Sequence, residues 1–315
     1  MKRVVLVALT AALGALAADW LTDGGDPARD NWQQREKTLS AENVSDVKLL
    51  WKFAPDELAL SSPVILGPII THRGIKELVF VEGNSNTIYA IDADLGRLFW
   101  KRRMNSTGPM CFNAPPTPVI MPETILTEDD DEGHTPLRTL FFMAGDGMLH
   151  SIRPTTGEDA AEAKQAAERC PEAIRIKPFA ARGSPTFAWN GRTVVLGDSL
   201  KLPMTATSPA TWEDTSGVRW IYGADRERLQ AWEYTGAELA PAWSVEGLSA
   251  PLIANGMVFA FGEHRLHALD ARTGKKLFAS GTVAGDVNAL ALANGHVCFT
   301  TSENILYCFG FPVEV

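Results

Sequence analysis

Two stretches far apart in the chain carry the same pattern. Ala90–Trp100 reads A-I-D-A-D-L-G-R-L-F-W, and Ala268–Phe278 reads A-L-D-A-R-T-G-K-K-L-F. Each follows an alternating apolar run, so the unit is a strand, a tight turn and a second strand. A strand-built repeat of roughly forty residues restricts the chain to a β-propeller or a similar array. Asp92 and Asp270 close a strand, where a carboxylate can accept hydrogen bonds from the turn backbone. Gly96 and Gly274 supply a positive φ in that turn. Trp100 and Phe278 open the next strand with a large ring, placed to fill the gap between neighbouring blades.

Reading along the chain locates the remaining units. Ser61–Arg103, Ala114–Gly157, Ser208–Val245 and Ser249–Ser280 each read as a four-stranded blade; Trp243 lies in the closing strand of the third of these. Val287–Phe311 supplies three strands and no closing one. The run V-K-L-L-W-K-F at Val47–Phe53 looks like the missing piece, with Trp51 in the Trp100 position; the alternative is a free N-terminal arm. Ser184–Met204 is a doubtful blade, and the Ala- and Glu-rich stretch Asp159–Arg169 before it reads as a short helix. The expected fold is all-β: a propeller of about six four-stranded blades, the third degenerate and five possible, closed by an N-terminal strand.

Composition narrows the setting. The chain has 315 residues with 26 glycines and 19 prolines, which suits short strands joined by many turns. Lys2-Arg3, the apolar Val4–Ala17 and the Ala15-Leu16-Ala17 site have the form of a cleavable leader, too short to span a bilayer. An uncleaved anchor is the alternative. Residues 1–17 are thus expected to be a signal peptide and 18–315 a single domain, periplasmic or secreted, with no integral membrane span. The net charge is −9, and about −11 (38 acidic against 27 basic) once Lys2 and Arg3 are removed. An acidic surface without a basic aromatic stripe argues against nucleic acid as a partner.

An oxidising compartment permits disulfides among the four cysteines. If Glu303-Asn304 is a two-residue hairpin turn, Cys298 stands opposite Phe309, and Cys298 and Cys308 lie on opposite faces; only a bulge would bring them together. Cys111 and Cys170 lie outside the repeats and either pair with each other or remain buried thiols.

The A-x-D-x-x-x-G-x-x-x-W pattern resembles the tryptophan-docking motif of quinoprotein propellers. The opening D-W-L-T-D-G-G-D-P-A-R-D-N-W and the run at Asn43–Phe53 resemble the same group, the PQQ-binding-like β-propellers. The resemblance spans most of Asp19–Phe311. It implies kinship with an outer-membrane assembly factor and with PQQ-dependent alcohol dehydrogenases. The enzymes of that group use pyrroloquinoline quinone over Ca²⁺ or a lanthanide, typically with eight blades, an adjacent Cys-Cys disulfide and metal-ligating Glu and Asn with a catalytic Asp. Here no two cysteines are adjacent, the blades are fewer, and no Glu, Asn and Asp set maps onto the chain. No C-x-x-C-H haem site is present.

Other chemistry is sparse. His72, His134, His150, His264, His267 and His296 form no H-E-x-x-H, and His264 and His267 fall on opposite strand faces. Glu128–Glu132 lacks EF-hand spacing and reads as a solvated insertion. Gly24-Gly25-Asp26 reads as a turn. The expected function is a non-catalytic extracytoplasmic binding or scaffold protein, with no catalytic residue, metal or cofactor assigned. It would act as a monomer, taking a protein or peptide ligand on a rim shaped by insertions at Met104–Ala114, Pro122–Arg138 and Glu158–Gly183. The alternatives are a minimal PQQ–Ca²⁺ alcohol or sugar dehydrogenase and an outer-membrane protein assembly factor.

Overall fold

A computed structural model describes residues 18–26, 29–104, 115–122, 138–145, 147–165, 187–189, 194–196, 200–204, 209–236, 238–287 and 289–312. Cys111, Cys170, the acidic run at Glu128–Glu132 and the leader segment lie outside the described residues. Two N-terminal strands, β1 (Trp32–Gln33) and β2 (Lys48–Phe53), flank a short 3₁₀ turn at Val44–Asp46 and both join sheets formed later in the chain.

Successive hairpins build those sheets. The first contains β3 (Val64–Thr71), β4 (Gly74–Gly83), β5 (Thr87–Asp92) and β6 (Leu98–Arg103). The second contains β7 (Val119–Pro122), β8 (Arg138–Met143), β9 (Met148–Ile152) and β10 (Asp159–Gln165). A three-stranded sheet follows, of β11 (Phe187–Trp189), β12 (Val194–Leu196) and β13 (Leu200–Lys201). The fourth sheet has β14 (Ala210–Glu213), β15 (Arg219–Ala224), β16 (Arg228–Tyr234) and β17 (Leu239–Glu246). The fifth has β18 (Ser249–Ala254), β19 (Met257–Gly262), β20 (Arg265–Asp270) and β21 (Lys276–Ala279), with β1 added in parallel to β18. The sixth has β22 (Ala291–Ala293), β23 (His296–Thr300) and β24 (Leu306–Gly310), with β2 antiparallel to β24. The fold is all-β, and its five sheets of four or five strands are consistent with propeller blades.

The central strands of these sheets are buried on both faces, as β5 and β19 show along their whole length. They are correspondingly rich in Val, Ile, Phe and Ala. In five of the sheets the first strand packs on its counterparts and lies innermost: β7 beside β3, β3 beside β22, β22 beside β18, and β18 beside β14. Five sheets are therefore neighbours in the sequence-wrapped order second, first, sixth, fifth, fourth.

Two expectations are corrected here. Asp159–Arg169 is not a helix where it is described: Asp159–Gln165 is the closing strand β10, paired with β9. Alanine and glutamate favour helix only weakly, and the strand-edge hydrogen bonds offered by β9 outweigh that preference. The turn between β23 and β24 holds three residues, not two. Thr301 N–H donates to Ile305 O at 3.0 Å, Asn304 N–H donates to Thr301 O at 2.9 Å, and Asn304 takes a left-handed φ of 58°. A three-residue loop of this kind moves the register by one position. Cys298 consequently faces Cys308 on the same side of the sheet, not Phe309.

Candidate functional site

The residues singled out by the repeat lie at the seams between sheets. Trp100 pairs across the ladder with Ala90, Trp243 with Ala231, Phe278 with Ala268, and Trp51 with Cys308. In each case a large ring stands beside a small residue of the third strand, followed by a ladder irregularity in the pairs involving Trp100, Trp243 and Phe278. The indoles reach the neighbouring sheet in one repeated geometry. Trp51 Nε1 donates to Ala93 O at 2.6 Å, Trp100 Nε1 to Pro154 O at 2.8 Å, and Trp243 Nε1 to Ala271 O at 2.9 Å. Three residues beyond each acceptor stands a glycine with positive φ, namely Gly96, Gly157 and Gly274. A β-carbon at Gly157 or Gly274 would lie within 2.9 Å or 2.8 Å of the indole, and one at Gly96 would collide with Trp51. The turns themselves are held as carboxylates permit: Asp92 Oδ1 accepts from Asp94 and Leu95 N–H, and Asp270 Oδ1 from Arg272 and Thr273 N–H. Lys76 also pairs with Asp92 at 2.7 Å.

Phe278 has no indole N–H and meets a different seam. The sixth sheet is spliced from the two ends of the described chain, so no strand–turn–strand loop with a glycine comes up to receive the ring. Phe278 instead borders a cleft of about 340 Å³ with Val47, Leu49, Ser280, Val283 and Phe309.

The N-terminal segment occupies the innermost strands. Trp20 bonds reciprocally with Ile65 of β3, Leu21 O accepts from Ile120 N–H of β7, and Asp30 O accepts from Thr211 N–H of β14. Asn31 O accepts from Ile253 N–H of β18, and Gln33 Nε2 donates to Leu292 O of β22. A single arm of about fifteen residues thus links five sheets, with Trp20 and Leu39 almost fully buried. This role was not read from the sequence, although the dense Gly, Asp and Asn of D-W-L-T-D-G-G-D-P-A-R-D-N-W is the composition of a segment that bonds through its backbone and short polar side chains.

Buried charge here serves to join sheets. Asp19 Oδ2 meets Arg138 at 2.9 Å while its Oδ1 accepts from Gly67 N–H. Glu77 Oε1 lies 3.0 Å from His296 Nδ1 and its Oε2 accepts from Asn294. Burial raises the Glu77 carboxyl, offset in part by His296. Burial opposes a charge on His296, but the Glu77 hydrogen bond and negative charge prevail and its pKa is raised. Burial also brings Asp30 up to about 7, helped by the neighbouring Asp26 charge. Glu82 is fully enclosed, its Oε2 has no partner among the described residues, and burial with the nearby Glu57 pushes its carboxyl well above the usual range. His264 is exposed while His267 is buried, with Nε2 at 3.2 Å from Gly262 O.

Among the described residues no three His, Cys, Asp or Glu side chains group to hold a metal ion. The innermost strands are already engaged by the chain's own arm. Among the described residues, no helix is long and apolar enough to cross a membrane.

What the surface offers lies at one end of two sheets. Among the described residues seven large apolar side chains are exposed, and five of them (Ile70, Ile75, Leu95, Leu98 and Met121) sit where β3 and β7 end and β4 and β6 begin. Antiparallel pairing places the four positions of the first sheet at the same end, and β7, which carries Met121, lies beside β3. Ile70 and Ile75 are 83% and 71% exposed and face each other across the β3–β4 hairpin. The hairpin tip is fixed in place: the Arg73 guanidinium stacks 4.8 Å over the Phe99 ring and Nη1 donates to Phe99 O. This patch was missed in the sequence, although I-I-T-H-R-G-I puts apolar residues on both sides of a turn, where polar ones are usual.

The chain is 22% identical over 289 residues to a quinate/shikimate dehydrogenase (quinone) of Acinetobacter baylyi, in an alignment covering 79% of this chain and 36% of that one. It thus spans little more than a third of the curated relative's length. Among solved structures, BamB from Moraxella catarrhalis aligns over 85% of this chain and 99% of its own, at 12% identity and a TM-score of 0.39. Residues 28–197 match the family described as outer membrane protein assembly factor BamB, and because that match covers more than half of the sequence, the chain belongs to this family of PQQ-like repeat proteins.

Proposed function

We propose that this chain is an assembly factor of the bacterial envelope: a non-catalytic propeller whose apolar rim receives an outer-membrane protein or a component of its assembly machinery. In this reading the three-stranded sheet is the third of six blades and β2 closes the ring. The mature protein starts at Ala18, works in the periplasm as a monomer, and binds a protein partner, not nucleic acid. The observation that carries it is the exposed apolar end of the first two sheets, with Ile70 and Ile75 held out on a pinned hairpin. Exposed apolar clusters on an otherwise polar surface mark interaction sites, and family membership supplies the class of partner. The Pro122–Arg138 insertion springs from this same end.

A photo-cross-linking side chain placed at Ile75, and in a second protein at Leu58 beyond the far end of β3, tests the assignment in living cells. Adducts with an outer-membrane β-barrel protein or its assembly machinery are expected from position 75 and not from 58. The Ile70→Asp, Ile75→Asp double variant should keep its thermal midpoint and lose the adduct formed through a cross-linker at Leu98. Equal adducts from both ends, or none from 75, would refute the rim assignment.

A further inference from the structure

We propose that Cys298 and Cys308 form a disulfide that staples β23 to β24 when the protein matures in an oxidising compartment. The two are direct cross-strand partners, both fully buried, with Sγ atoms 3.0 Å apart. The ladder type favours the bond. Thr301 and Ile305 form a hydrogen-bonded pair next to the turn, and pairs alternate along an antiparallel ladder, so 299/307 is bonded and 298/308 is not. A non-bonded pair brings the α-carbons to about 4.5 Å with side chains close together, inside the range of about 4.4–6.8 Å that a disulfide spans. The site also has a structural meaning. β24 is the strand on which the N-terminal strand β2 is paired, and Trp51, which docks on the first sheet, stands directly opposite Cys308. Fixing β24 to β23 fixes the splice between the two ends of the described chain.

The oxidant required is a protein or small-molecule disulfide. One cysteine thiolate attacks a sulfur of that disulfide, giving a mixed disulfide and releasing one oxidant thiolate. The second cysteine thiolate attacks the first cysteine's sulfur, forming the Cys298–Cys308 bond and releasing the other. Two protons leave the protein, and two electrons reduce the oxidant to a dithiol. Burial raises the Cys308 thiol well above its usual range, so the folded site offers little thiolate. Exchange therefore takes place before β2 covers β24, and the bond is thereafter shielded from reductant.

The experiment reads one peptide. No Lys or Arg follows Lys276, so both thiols fall in the tryptic fragment beginning at Leu277. Protein exported to an oxidising compartment is unfolded in N-ethylmaleimide, digested without reduction and weighed. The fragment is expected two hydrogens lighter than its reduced form and free of maleimide. Reduction in denaturant should restore two alkylation sites, while the same reductant applied to folded protein should leave the fragment unmodified. The Cys298→Ala and Cys308→Ala proteins should each keep the far-UV spectrum and each show one maleimide. A doubly alkylated fragment from the oxidised wild type, or linkage of either cysteine to Cys111 or Cys170, would overturn the assignment.

Discussion

Replacing Gly96 by Ala isolates how much the indole docking contributes. Gly96 has φ +64°, and a β-carbon there would run into the Trp51 ring. Two separate costs follow. Left-handed backbone costs a non-glycine residue about 1–2 kcal/mol. Crowding a packed ring adds about 1–3 kcal/mol, because Trp51 is held by its 2.6 Å bond to Ala93 O and has no free retreat. The total expected for Gly96→Ala is about 2–5 kcal/mol. Gly247 is the matched control: its φ is +70° and nothing lies within 4 Å of the β-carbon position. Gly247→Ala should show the backbone cost alone, about 1–2 kcal/mol. In a Trp51→Gly background the ring and its β-carbon are both gone, and Gly96→Ala should fall to the Gly247→Ala level. Urea unfolding of wild type, both single variants and the double variant gives the coupling, expected at about 1–3 kcal/mol in the sense that the double variant is less destabilised than the sum. Equal costs for Gly96→Ala and Gly247→Ala, or strict additivity with Trp51→Gly, would refute ring-on-turn docking as the element that joins the sixth sheet to the first.

Two further outcomes follow from the same geometry. Asp30 has its carboxyl raised from 3.8 to about 7 by burial first and by Asp26 second, so the folded state holds the proton more tightly than the unfolded chain. Its contribution is therefore fully present below about pH 4, declines as pH climbs through 7 and is constant above, a penalty of about 4 kcal/mol. Asp30→Asn keeps an acceptor for Trp32 N–H, so its stability relative to wild type should be near zero at pH 4 and rise to a plateau above pH 7; a pH-independent difference in urea midpoints would contradict this. Phe278→Trp adds ring area beside the 340 Å³ cleft, and thermal unfolding should report a gain of up to about 1 kcal/mol; a clear loss would mean that the cleft cannot accept the larger ring.

What could be read from sequence depended on the range of the interactions concerned. The seams were legible because Trp100 and Phe278 recur at one offset from Ala90 and Ala268 and from the turn glycines Gly96 and Gly274, so local spacing carries the geometry. Trp51 could be placed in the same role because the last unit lacked a closing strand, and V-K-L-L-W-K-F matched the vacancy. β10 was misread because its strand character is lent by β9, which supplies the hydrogen bonds, while its own Ala and Glu say helix. The cysteine pair was misread through one residue of turn length, since the left-handed Asn304 converts a two-residue loop into three and flips which face each side chain occupies. The arm was the least legible part. Its partners, such as Ile65, Thr211, Ile253 and Leu292, are reached through backbone groups that any sequence possesses.

Under the proposed function, the distribution of bonding accounts for recognition at the rim. A sheet has two kinds of unsatisfied surface, its edges and the tips of its turns. On the inner side the arm bonds to the first strand of each of five sheets. On the flanks, three seams are closed by an indole that fills space and donates one hydrogen bond. The β3–β4 hairpin tip is constrained by neither device, unlike the turns on which the indoles dock. Its backbone is paired within the hairpin, so its side chains can change without loosening the fold. An apolar pair such as Ile70 and Ile75 then costs little in folding and is offered outward, and stiffening by Arg73 on Phe99 lowers the entropy lost when a partner closes over it. The same logic predicts which substitutions separate binding from stability: polar replacements at Ile70 and Ile75 should weaken the partner contact alone, whereas any change at Trp51, Trp100, Trp243 or the arm should lower both together.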